Sequence, residues 1–69
     1  MIKVKSIRTY LNNQVDVSLF SDTKAEVRTT PLSDIEGFPQ GCIIAMGSSI
    51  LTAEGELAFM KSDGQWQWQ

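Results

Sequence analysis

At 69 residues the chain is shorter than one ordinary domain, which excludes a multidomain enzyme with a separate cofactor module. Hydrophobic residues at 42% and charged residues at 20% sit near globular averages, so a wholly disordered tail and a coiled-coil rod are excluded as well. The formal charge is −2, with Lys3, Lys5, Arg8, Lys24, Arg28 and Lys61 mostly in the first half; this is no nucleic-acid footprint, because a groove that tracks phosphates needs a dense positive stripe.

The chain opens on Ile2, Val4 and Ile7 alternating with Lys3, Lys5 and Arg8, a first strand running through Tyr10 and Leu11 with a bulge near Ser6. Asn12-Asn13 closes it. Asparagine tolerates positive φ, so the pair predicts a tight hairpin turn into Val15, Val17 and Leu19, which repeat with period two. Ser21 or Asp22 can cap one helical turn over Lys24–Arg28. Thr29 and Thr30 are weak helix formers, and Pro31 pushes Thr30 toward extended backbone, so that turn stays short.

From Pro31 to Gly41 two prolines and two glycines mark an arm without regular structure. Leu32, Ile35 and Phe38 recur at spacing three, so the arm lies down on an apolar surface, of this subunit or of a neighbour. Beyond Gly41, four short strands are expected at 42–46, 48–52, 56–61 and 65–68, each break carrying a glycine; if Gly47 only bends the chain, the first two are one strand. The fold expected is a single, mainly β domain over 1–69. It has an N-terminal hairpin over 1–20, a short turn and arm over 21–41, and an antiparallel β-meander over 42–69. Leu57 and Phe59 share one of its faces, and so do Trp66 and Trp68.

Ordering a chain costs about 1.5 kcal/mol per residue, and core accounting below roughly 70 to 80 residues ends near zero. A supplement is expected. With Cys42 the lone cysteine and no histidine, neither an intrachain disulfide nor an ordinary zinc site can be assembled, which leaves association with other subunits or a tightly built monomeric sheet. No apolar run approaches the roughly 20 residues that span a bilayer, and MIKVKSIRTY offers no signal-peptide hydrophobic region. Together with the unpaired Cys42, this points to a cytosol-like compartment and no membrane partner.

The residue types needed for catalysis are sparse. Without histidine the commonest general base is missing, and Gly47-Ser48-Ser49 lacks the second glycine and the helix of a nucleophile elbow. Cys42 reads as a small buried hydrophobe. Glu54, Glu56 and Asp63 lie in or beside adjacent turns and read as a solvated sheet end. Gly37 to Gly41 lacks the lysine and following helix of a phosphate cradle, so no cofactor is expected. The tail Gln65-Trp66-Gln67-Trp68-Gln69 alternates large aromatics with amides on what reads as an edge strand, where the indoles either seal the core or meet a partner.

The stretch from Pro31 onward, PLSDIEGFPQGCIIAMGSSILTAEGELAFMKSDGQW, resembles small virion proteins of tailed phages and prophages of Gram-positive bacteria, head-fibre and decoration proteins among them. In that pattern a proline-containing arm leads to Gly-Ser, an apolar strand, a glycine turn, a strand ending in an aromatic, and a closing tryptophan. Gly47 and Ser48, Gly55, Phe59 and Trp66 stand at these positions; the turn reads Ala53-Glu54-Gly55 where the pattern carries Asp-Thr-Gly. The resemblance implies a non-catalytic structural subunit, found in the virion and in host cytoplasm during assembly, that binds copies of itself and a capsid or tail protein. Leu32, Ile35, Phe38, Trp66 and Trp68 are the candidate interface residues. The alternative is a small phage- or plasmid-encoded regulatory module that adds a strand to a host protein.

Overall fold

The computed structural model describes residues 1–10 and 12–69; the expected end of the first strand at Leu11 lies outside them. Strand β1 (Lys3–Thr9) pairs antiparallel with β2 (Gln14–Ser21), from Lys3 opposite Phe20 to Thr9 opposite Val15. The register slips between Val4 and Ser6, so β1 carries one extra residue, the bulge expected there. At the turn Asn12 adopts a φ of 45°, and the Tyr10 N–H closes on the Gln14 carbonyl at 3.0 Å. The period-two pattern of β2 buries Val15, Val17, Leu19 and Ser21 on one face.

Helix α1 (Lys24–Thr29) follows, capped not by Ser21 or Asp22 but by Thr23, whose Oγ1 accepts the Glu26 N–H at 3.2 Å. The two residues expected to cap instead hold the Glu26 carboxylate: Ser21 Oγ lies 2.7 Å from Oε1, and the Asp22 N–H donates to the same oxygen at 3.3 Å. Thr23 and Glu26 thus form a capping box whose acidic arm reaches one residue further back than usual. The arm then makes a 3-10 turn over Leu32–Asp34 and lies on this chain's own core. Glu36 bonds the outer edge of β1, accepting from the Val4 N–H at 3.1 Å and donating to the Ile2 carbonyl at 3.2 Å.

The remaining strands are β3 (Ile43–Ile44), β4 (Ser49–Thr52), β5 (Leu57–Met60) and β6 (Trp66–Trp68). The antiparallel meander expected for this half is confined to β4–β5–β6, and the sheet as a whole is mixed, because β3 and β4 both run parallel to β2 along one edge of it. Sheet order is β1-β2-β4-β5-β6, with β3 beside the start of β2. A parallel neighbour needs a crossover of a dozen or more residues, and α1 with the arm supplies it.

Gly47 bends the chain between β3 and β4, and the pairing partner on β2 slips by two residues across the bend, from Val15 opposite Ile44 to Ser18 opposite Ser49. The ladder is kept closed there by a side chain: the Val17 N–H donates to Ser48 Oγ at 3.0 Å, where a backbone carbonyl would otherwise stand. One row of opposed residues, Val4, Leu19, Ile50, Ala58 and Trp68, crosses the whole sheet on the face that Ile35, Leu32, Phe38 and Val27 cover. Hairpin and meander therefore share one core.

Candidate functional site

The five residues singled out as contact candidates come together on the inner face of the sheet. Ile35 is buried, and Leu32, Phe38, Trp66 and Trp68 are half-buried against the same apolar cluster. Trp66 stands opposite Met60 and Trp68 opposite Ala58, which puts both indoles on the core side as the alternation requires. Lys24 on α1 reaches over Trp68, its Nζ 4.8 Å from the ring centroid and 3.8 Å from Glu56 Oε2. A groove between α1 and β6 is lined by Val27, Arg28, Gln65, Trp66 and Trp68, and a smaller one between the ends of the arm by Leu32, Ser33, Phe38 and Cys42.

Elsewhere the polar groups are engaged in holding the fold. Ser48 is 1% exposed and its hydroxyl is bonded to Val17, as described. Glu54, Glu56 and Asp63 lie at solvated ends of the sheet, as expected, and do not gather into one cluster. Glu54 accepts from the Lys24 N–H at 3.4 Å and Glu56 pairs with Lys24, both at one end of β5, whereas Asp63 pairs with Lys61 at the other. A strand separates the two turns, so they lie at opposite ends of the sheet. Glu26 faces the amino group of Met1, Oε2 to N at 2.5 Å; this ammonium first, then Ser21 Oγ, holds the Glu26 carboxyl below the usual range, while Asp22 and Glu26 raise the Met1 ammonium. Among the described residues no three His, Cys, Asp or Glu side chains gather as metal ligands, and no helix is long and apolar enough to cross a membrane.

The feature that sequence reasoning missed is the outer face. Leu57 and Phe59 do share a face, and it is this outer one. Phe20 and Leu51 join them, because Phe20 opposes Leu51 and Leu51 opposes Leu57 across β2, β4 and β5. Leu51 is 39% exposed and Phe59 42%, with Phe20 and Leu57 half-buried beside them. The signal lay in the paired apolar steps Leu19-Phe20, Ile50-Leu51 and Ala58-Phe59, which put apolar side chains on both faces of neighbouring strands. Toward the other end the same face turns polar, with Arg8 bonded to Asp16 at 3.0 Å and Ser18 to Ser49 at 3.2 Å.

The apolar patch runs into the edge formed by β6. Gln69 donates to Leu57 and Lys61 to Gln65, each at 2.9 Å, so the backbone groups of the odd-numbered residues 65, 67 and 69 face β5. Strict alternation then aims the N–H and C=O groups of Trp66 and Trp68 away from the sheet, on its open edge. At the opposite edge, Glu36 covers part of β1. Comparison with known proteins finds no family model, no curated protein and no solved structure that matches the chain.

Proposed function

We propose that the chain is a non-enzymatic assembly subunit, a structural or accessory virion protein that associates with copies of itself and with a capsid or tail component. The observation that carries this reading is the uncovered outer face, where Phe20, Leu51, Leu57 and Phe59 cluster next to an open strand edge. Contiguous exposed apolar side chains and an unpaired edge are both features that a solitary domain tends to avoid and that an assembly uses. The resemblance of the Pro31–Trp66 stretch to small phage virion proteins supports the same role. Leu32, Ile35 and Phe38 of the arm set the sheet on its core, while Trp66 and Trp68 also lie on the open edge strand β6, so the contact surface takes in both the outer face and that edge.

Sedimentation and light scattering at micromolar concentration test the reading, with the expectation of an oligomer that Leu51→Lys makes smaller by removing the outer-face contact while the melting temperature holds. A virion component also copurifies with intact particles in stoichiometric amount, which mass spectrometry of particles reads directly. A second reading, a regulatory module that adds a strand to a host protein, is favoured by the open β6 edge alone. It predicts capture of one host protein and absence from particles.

A further inference from the structure

We infer that two copies of this chain join through β6, strand against strand in antiparallel register about a two-fold axis, with Gln67 facing Gln67 of the second copy. This deepens the self-association reading and rests on it. Three observations converge on β6.

The first is backbone geometry. The N–H and C=O groups of Trp66 and Trp68 point outward, while those of Gln67 are turned toward Phe59. In a pairing centred on Gln67, Trp66 meets Trp68 of the second copy as a hydrogen-bonded pair, and Trp68 meets Trp66; the two pairs exchange all the outward groups of the strand. Gln67 and its copy form the non-hydrogen-bonded pair between them, where Cα atoms approach to about 4.5 Å.

The second is that Gln65-Trp66-Gln67-Trp68-Gln69 reads the same in both directions. Antiparallel pairing about its midpoint places tryptophan opposite tryptophan on the core face and glutamine opposite glutamine on the outer face. Indoles that are now half-buried beside α1 then form one row of four across the axis. A two-fold contact is self-complementary and closes at two copies, whereas joining unlike edges gives an open chain of sheets.

The third is charge. The segment Gln65–Gln69 carries no charged side chain, so no side-chain charge of the strand faces its own copy. The opposite edge carries Lys3, Lys5 and Arg8 on a bulged strand partly covered by Glu36, features that keep two such edges apart. A standard interface takes about 800 Å² from each partner. Against a total accessible surface of 4518 Å², a three-residue strand covers much less, so the pair exchanges readily and is best trapped covalently.

The test replaces Gln67 by cysteine in a Cys42→Ala background. Directly opposed non-hydrogen-bonded positions lie within disulfide reach, so mild oxidation of Gln67→Cys gives a covalent dimer. Gln65→Cys in the same background is the control: its mate across the axis is Gln69 of the second copy, and the two introduced thiols stand about 13 Å apart along the strand. Gln67→Lys, at an exposed site, sets like charges face to face and raises the dissociation constant about five-fold without loss of the folded circular-dichroism spectrum. Crosslinking confined to position 67 sustains the inference. Equal crosslinking at 65, or none at 67 while scattering still reports an oligomer, overturns the β6 contact and leaves self-association standing. Scattering that stays monomeric at every concentration overturns the self-association reading, and the β6 contact with it.

Discussion

Replacing Ser48 by alanine removes one oxygen from a position where the sheet has no substitute for it. Ser48 is 1% exposed and Val17 2%, so no solvent reaches the Val17 N–H once the hydroxyl that accepts it at 3.0 Å is gone. A buried donor left without a partner costs about 1–3 kcal/mol. Total stability at roughly 0.05–0.15 kcal/mol per residue comes to about 3–10 kcal/mol for a chain of 69 residues, so the loss is a large share of it. At this size 1 kcal/mol moves the melting temperature by about 4–8 °C, and a central loss of about 2 kcal/mol lowers it by about 8–16 °C. Thermal melts followed by circular dichroism measure this, and hydrogen exchange at the Val17 amide localises it. Ser49→Ala is the internal control: its hydroxyl meets Ser18 Oγ at 3.2 Å on the outer face, where water replaces it, and the change stays within about 0.5 kcal/mol. Equal melting temperatures for Ser48→Ala and Ser49→Ala would refute the idea that a side chain completes the ladder.

Two further outcomes follow from the same structure. Gly47 turns the chain at a φ of 93° where none of the described residues crowds an added methyl, so Gly47→Ala costs backbone strain, about 1–2 kcal/mol, read as a lowered urea midpoint at unchanged slope. Glu26 has its carboxyl lowered by the Met1 ammonium and by Ser21, so its contribution is present above the ordinary glutamate range. That contribution is lost as pH falls through the lowered folded value. Glu26→Gln therefore flattens the acid limb of the stability profile, and an unchanged limb in acid titrations would remove Glu26 from the account.

What could be read from the chain was local. The β1–β2 hairpin, its bulge, the positive φ at Asn12 and the short α1 were each signalled by residues within a few positions of one another. The β4–β5–β6 meander was legible for the same reason, through Gly55 and Gly64 at its turns. The parallel pairing of Leu19 with Ile50 was not. It joins residues 31 apart in sequence, and no turn chemistry specifies it. The helix cap was missed because Thr23, Asp22 and Ser21 are equivalent as cap formers until the position of Glu26 decides among them. The outer apolar face is not legible from periodicity, because Phe20, Leu51 and Phe59 lie out of phase with the buried alternation and only the pairing of β2, β4 and β5 brings them together.

The seating of β2 between β1 on one side and β3 with β4 on the other constrains how the protein comes into being. As the nascent chain leaves the ribosome, the hairpin emerges before the residues that flank β2. Until Thr52 has emerged, Val15, Val17 and Leu19 lack the cover they receive from β4 and from the arm. Such a half-finished sheet is sticky. Newly made copies crowded together, as on a shared messenger, pass through a window in which one hairpin can capture the β4 of its neighbour in place of its own.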